Sequence, residues 1–112
     1  MSAFRSTTAT DGDVATVAFE GELDLSSAPQ AETELTALER EGAAGTIVLD
    51  LRGLRFLDST GLRVILAADS RARRDNRTLK VIAGPEAVHR VFRIALLDRR
   101  LEFVDPPEGG TR

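Results

Sequence analysis

The segment Asp58-Ser59-Thr60-Gly61 places a carboxylate and two hydroxyls where an apolar run ends and a helical pattern begins. The first backbone N–H groups of a helix have no partner within the helix, and small oxygen-bearing side chains commonly cap them. Ser59 is therefore predicted to be either such a cap or a modification site. A phosphoryl group would add a charge of about −1.5 to −2 where the positive end of the helix dipole tolerates it.

Catalytic interpretations of this segment lack partner residues. The glycines of a G-x-S-x-G nucleophile elbow are absent, and Thr60 interrupts the Asp-[Ser/Thr]-Gly pattern of aspartic proteases. The only histidine, His89, lies in a different predicted helix, so nothing places an imidazole beside Ser59. A glycine-rich phosphate loop with its lysine is also missing. We therefore expect no catalytic residues, no metal and no cofactor, and the protein is predicted not to be an enzyme.

Two further side chains are candidate site residues. Asp24 and Asp58 each follow a predicted strand and precede a predicted helix. Such connections tend to meet at one end of a layered sheet, so both carboxylates and Ser59 are predicted to share a face. The alternative for Asp24 is a loop or capping role. Arg63 points outward if Leu62 faces the core, and it is either solvated or available to a partner or a phosphate.

The hydrophobic pattern predicts one domain over residues 1–105 and a disordered tail over 106–112. Two strands joined by an Asp-Gly turn form an N-terminal hairpin, and Gly21 is expected to end the second of them. Helices and strands then alternate, with Ser26 or Ser27 capping the first helix and a short edge strand closing the chain. This order predicts an α/β fold, with a small mixed β-sheet built from the hairpin and β-α-β crossovers.

The composition of the chain argues against nucleic acids and membranes as partners. The 112 residues carry a net charge of −3, which gives no general attraction to nucleic acid. No segment of the sequence is long and apolar enough to span a bilayer, and there is no cysteine for a disulfide. We expect a cytoplasmic protein with neither a membrane nor a nucleic acid as partner. One basic cluster is expected to be a solvated helix end; it consists of Arg71, Arg73, Arg74 and Arg77.

Three segments resemble, in order and spacing, a STAS domain of the stand-alone bacterial anti-sigma factor antagonists. The resemblance extends from about Val14 to Val104 and implies a small mixed sheet with helices mainly on one face. The segments are Gly21-Glu22-Leu23-Asp24, Ile47-Val48-Leu49-Asp50-Leu51 and Phe56-Leu57-Asp58-Ser59-Thr60-Gly61-Leu62.

The same resemblance implies a function. Members of the family bind an anti-sigma factor, a GHKL-type serine kinase, and so free a sigma factor. The kinase phosphorylates the serine after the motif aspartate, which is Ser59 here, and a PP2C-type phosphatase restores it. Arg63 stands where the family often has a small residue, so partner identity does not transfer directly. The partner-binding residues expected from this comparison are Asp24, Asp58, Ser59, Thr60, Gly61 and Arg63.

Two alternatives stay open. A non-switching STAS scaffold, as in lipid-transport or signalling complexes, would use Ser59 only as a cap. Replacing Ser59 by alanine would then cost about 1 kcal/mol of stability without loss of regulation. An enzyme with Ser59 as nucleophile would instead be labelled there by a serine-reactive phosphonate.

Overall fold

A computed structural model describes residues 3–42 and 44–107. Strands and helices alternate after an N-terminal pair of strands. In chain order the elements are β1 (Phe4–Asp11), β2 (Val14–Leu23), α1 (Ala28–Glu41), β3 (Thr46–Leu57), α2 (Ser59–Arg74), β4 (Thr78–Ile82), α3 (Glu86–Ile94) and β5 (Glu102–Val104). The last five positions of the predicted tail, 108–112, lie outside the described residues.

The strands form one mixed sheet in the order β1-β2-β3-β4-β5. β1 is antiparallel to β2, and the other three neighbouring pairs are parallel. Each parallel pair is joined through a helix. Crossover connections between parallel strands are almost always right-handed. Because all three crossovers advance in the same direction along the sheet, right-handedness places their helices on the same side of it. The predicted fold class is confirmed.

One face of the sheet and the three helices enclose the core. Alternate strand residues such as Phe19, Leu49 and Val81 are fully buried, and they belong to the same cluster as Ile65 of α2 and Phe92 of α3. This alternation is the period expected of a sheet that is covered on one face. The helices therefore pack on a single face of the sheet, as the resemblance implied.

The opposite face carries Asp50, whose Oδ2 lies 2.8 Å from Nη2 of Arg52. Burial alone would raise the pKa of Asp50, but hydrogen bonds and charge from Arg52 outweigh it and lower that pKa. The pair therefore keeps a carboxylate ionised in the middle of β3.

β2 is longer than the sequence predicts, and β3 is the longest strand of the sheet. Gly21 does not end β2, which continues to Leu23, and β3 continues through Gly53 to Leu57. The pairing of β2 with β3 shifts between Ala18 and Glu20 and again between Gly21 and Glu22. Such irregularities bend a strand without ending it. Gly21 has φ +93°, and a Cβ there would collide with the Ala3 carbonyl, so the glycine permits the bend.

The basic cluster is not simply a solvated helix end. Arg71 donates to Glu39 at 2.6 Å and to Glu32 at 2.8 Å, which joins α2 to α1. Arg77 donates to the backbone carbonyl of Glu39 at 3.0 Å. The expectation is therefore wrong for these two arginines, because each lies within hydrogen-bond distance of an acceptor on α1: carboxylates for Arg71 and a backbone carbonyl for Arg77. Arg74 is exposed, as expected.

Candidate functional site

The loops after β2 and β3 lie side by side at the carboxyl ends of two neighbouring parallel strands. Leu23 pairs with Leu57 in the register of the sheet, and each is the last residue of its strand. The Leu25 N–H donates to Oδ2 of Asp58 at 3.1 Å, and the Asp58 N–H donates to the Leu23 carbonyl at 3.3 Å. The structure therefore brings Asp24, Asp58 and Ser59 to one end of the sheet.

Asp58, not Ser59, is the cap of α2. Its backbone is extended, and its Oδ1 accepts the N–H of Gly61 at 2.9 Å. Ser59 is the first helical residue and is exposed. No hydrogen bond in the part of the chain that the structure describes engages the Ser59 hydroxyl. Of the two interpretations of Ser59, the capping role is therefore wrong, because the neighbouring Asp58 caps the helix by accepting the Gly61 N–H.

The two carboxylate oxygens of Asp58 hold different segments. Oδ1 fixes the first turn of α2, while Oδ2 fixes the backbone of Leu25 in the preceding loop. Asp58 therefore couples the two loops of the site, and its carboxylate has defined partners on both sides. A cap of this kind contributes typically about 1 kcal/mol.

Asp24 organises its own loop. Its Oδ1 accepts the N–H of Ser26 at 3.0 Å and the N–H of Ser27 at 3.2 Å. Ser27 occupies the cap position of α1, but its side chain does not cap the helix. Instead its buried hydroxyl donates to the Glu22 carbonyl at 2.7 Å and accepts the Asp24 N–H at 3.0 Å. These hydrogen bonds, all between residues close in sequence, stabilise the conformation of the loop.

The remaining predicted residues occupy the first turns of α2. Thr60 is half-buried, and Arg63 is exposed one turn after Ser59. Gly61 is buried, and a Cβ there would lie 2.5 Å from the Leu23 carbonyl oxygen. Gly61 thus lets α2 start directly against the end of β2. That these residues bind a partner stays a prediction.

Two exposed apolar side chains at this end of the sheet were not among the residues predicted from the sequence. Leu25 is 73% exposed and follows Asp24, and Phe56 is 49% exposed and lies two residues before Asp58. Successive strand residues point to opposite faces, so the dipeptide Phe56-Leu57 already indicates that one of the two side chains leaves the core. The hydrophobic pattern of the sequence gives no indication that Leu25 is exposed.

The only histidine of the sequence lies on a different helix from Ser59. His89 lies on α3, half-buried, with its ring centroid 4.8 Å from that of Phe103. In the described residues no three His, Cys, Asp or Glu side chains are grouped as metal ligands. No helix within 3–42 or 44–107 is long and apolar enough to cross a membrane.

Comparison with known proteins identifies the family. The family model described as "Mlab, STAS domain" matches residues 6–105. The chain belongs to the STAS domain family. This STAS domain is similar to the anti-sigma-B factor antagonist of Bacillus subtilis (strain 168), with 29% identity over 92 residues, 82% of this chain and 83% of that protein.

Solved structures agree with this STAS fold. An anti-sigma factor antagonist from Mycobacterium paratuberculosis superposes with a TM-score of 0.84 at 23% identity, covering 96% of this chain and 90% of that one. The Bacillus cell fate determinant SpoIIAA in its phosphorylated form gives a TM-score of 0.73 at 20% identity, covering 96% and 95%. Both similarities concern the fold of the chain.

Proposed function

We propose that this STAS domain is an anti-sigma factor antagonist that binds an anti-sigma factor and thereby releases a sigma factor. Phosphorylation of Ser59 switches this activity off. The observation that carries the proposal is the exposed Ser59 hydroxyl at the first position of α2, free of hydrogen bonds within the described residues and adjacent to the cap Asp58. The relatives named as anti-sigma factor antagonists support the general role.

The docking surface consists of the site residues and the two exposed apolar side chains. Leu25 and Phe56 supply exposed apolar area at the same end of the sheet as Ser59, and exposed aromatic and aliphatic groups are common anchors of interfaces. Asp24 and Arg63 add charges that would orient a partner. Gly61 contributes through the close approach of α2 to β2 and not through a side chain.

The partner of this surface is an anti-sigma factor with GHKL-type serine kinase activity. It would bind the unmodified site, transfer a phosphoryl group to Ser59 and dissociate, and a PP2C-type phosphatase would reverse the reaction. Use of ATP by that kinase places the exchange in the cytoplasm. Neither a cofactor nor a metal of this chain is needed, because the chain supplies only the acceptor hydroxyl.

The switch is electrostatic. A phosphate on Ser59 would place a charge of about −1.5 to −2 next to Asp58, at the same end of the sheet as Asp24. The start of α2 tolerates this charge, so the fold is expected to persist. A partner that accommodates a neutral hydroxyl would meet a dianion in its interface. Binding therefore falls without refolding.

Phosphate transfer tests the site assignment. With the anti-sigma factor kinase and ATP, we expect one phosphate per chain, located on Ser59 by mass spectrometry of tryptic peptides. The variant Ser59→Ala should take up none, and its free energy of unfolding should stay within about 0.5 kcal/mol because the residue is exposed and does not cap.

The matched control for this experiment is Ser70→Ala, an exposed serine on the same helix, which should still be phosphorylated normally. Phosphate on Thr60 alone would overturn the assignment. Absence of phosphate, with unchanged binding by Ser59→Ala, would favour the non-switching scaffold. Stability alone does not separate the two functions, because Asp58 carries the cap in either case.

We expect Arg63 to pair with the phosphate. It lies four residues after Ser59 on α2, and residues at i and i+4 are neighbours on a helix surface. An arginine beside a phosphate favours its doubly charged form. The second pKa of phosphoserine, normally about 6, should therefore be lowered in the modified protein.

Titration of the ³¹P chemical shift checks this prediction. In Arg63→Gln the second pKa of the Ser59 phosphate should rise by roughly a few tenths of a pH unit, as expected for an exposed pair. Arg55→Gln is the control, because it removes an exposed arginine of β3 that is already paired with another residue. Nη2 of Arg55 lies 3.5 Å from Oε2 of Glu22. An identical titration in Arg63→Gln and the unsubstituted protein would exclude the pairing.

A further inference from the structure

β1 forms an open edge of the sheet. It has eight residues and pairs with β2 over its whole length, without a register shift. The opposite edge, β5, has three residues and is followed closely by Pro106 and Pro107. Short strands and prolines are common protections of a sheet edge, and β1 has neither.

The backbone N–H and C=O groups of successive β1 residues point alternately toward β2 and away from it. The Glu22 N–H donates to the Ala3 carbonyl at 2.8 Å, and these residues are directly opposite in the register that pairs Phe4 with Gly21. Odd-numbered residues of β1 therefore exchange hydrogen bonds with β2. It follows that Ser6, Thr8 and Thr10 direct their N–H and C=O groups outward, where another strand could pair with them.

The side chains of β1 favour a particular second strand. Between Arg5 and Asp11 the sequence contains only serine, threonine and alanine, of which threonine suits a strand. Phe4 packs against Phe19 on the covered face, with ring centroids 5.3 Å apart, so the odd-numbered side chains Arg5 and Asp11 share the opposite face. Both of these charged residues are exposed. Opposite charges thus stand at the two ends of an uncharged segment.

We propose that β1 pairs antiparallel with β1 of a second copy of this chain, centred on Thr8. In this register Ser6 faces Thr10 of the second copy, so the outward backbone groups match. Arg5 of each copy then lies directly opposite Asp11 of the other. A register centred on Thr7 also matches the backbone but sets Arg5 opposite Ala9, so charge complementarity selects Thr8.

This dimer would leave the proposed switch accessible. Ser59 follows β3, which is separated from β1 by β2 in the sheet. The two copies would extend one sheet through their β1 edges and present two Ser59 sites. The pairing is independent of the anti-sigma factor, so its failure would say nothing about the proposed function.

Charge exchange tests the pairing. Sedimentation velocity at low salt, in a concentration series reaching the millimolar range, should show a monomer–dimer equilibrium. Arg5→Asp should weaken dimerisation about tenfold, because two attractive pairs become repulsive. The double variant Arg5→Asp with Asp11→Arg should restore it, and thermal unfolding of each monomer checks that the fold is retained.

A backbone variant gives a second readout. Thr8→Pro removes an N–H that points outward and leaves the bonds to β2, as edge strands tolerate. It should abolish the dimer. A wild-type chain that stays monomeric at all concentrations overturns the proposal. A dimer that survives Thr8→Pro, or that is not restored by the double charge exchange, also overturns it.

Discussion

Replacing Ser59 by glutamate is expected to weaken binding to the anti-sigma factor roughly tenfold to hundredfold, while the protein itself becomes slightly more stable. A negative charge at the docking surface repels a partner that fits a neutral hydroxyl. The same charge interacts favourably with the start of α2 and with Arg63 four residues later, gaining about 0.5 kcal/mol. The two effects have opposite signs, so partial unfolding cannot explain the loss of binding.

Titration calorimetry for binding and urea denaturation for stability measure these two effects. Ser59→Gln is the control for size, since it adds a neutral side chain of similar length, and it should weaken binding less than Ser59→Glu. Ser70→Glu adds the same charge at an exposed position of α2 away from the loops and should leave binding unchanged. Equal losses for Ser59→Gln and Ser59→Glu would refute an electrostatic switch.

Replacing Gly61 by alanine is expected to destabilise the protein by about 2 kcal/mol, although alanine normally favours a helix. The added Cβ would lie 2.5 Å from the Leu23 carbonyl oxygen and 2.9 Å from Cδ1 of Leu57. The carbonyl belongs to the backbone of β2 and accepts the Asp58 N–H, so it cannot rotate away as a side chain would. α2 must therefore move outward, away from the loop of Asp24.

Urea denaturation of Gly61→Ala measures the loss, with Gly12→Asn as the control. Gly12 lies in the β1–β2 turn with φ +61°, where no atom comes within 4 Å of an added Cβ and asparagine tolerates the backbone. The control should therefore change stability by less than about 1 kcal/mol. If Gly61→Ala is as stable as the unsubstituted protein, the close approach of α2 to β2 does not constrain the site.

The order of the elements and the meeting of the two loops were predictable because both depend on regular patterns. Strand and helix periods define the crossovers, and parallel strands bring their carboxyl ends to one edge. The capping residue was not predictable to one position, because aspartate and serine are both good caps and stand side by side. In the structure, Asp58 is the cap and also accepts a hydrogen bond from the Leu25 N–H, which is distant in sequence.

Other differences also arise from tertiary contacts. Gly21 suggests a strand end, yet irregular pairing with β3 allows β2 to continue to Leu23. Arg71 seemed a solvated helix end, but Glu32 and Glu39 approach it from α1. In each case local preference was outweighed by a neighbouring element that sequence position alone does not reveal.

The absence of hydrogen bonds from the Ser59 hydroxyl, within the described part of the chain, has a consequence for timing. If the Ser59 hydroxyl were hydrogen-bonded within the protein, those bonds would have to break before phosphorylation. Here no such bond has to break, so the polypeptide need not rearrange first. Phosphate monoesters hydrolyse extremely slowly without a catalyst. Under the proposed function, the phosphorylated state would therefore last as long as the phosphatase is inactive. The phosphorylated fraction of the domain would then depend only on the relative activities of the kinase and the phosphatase.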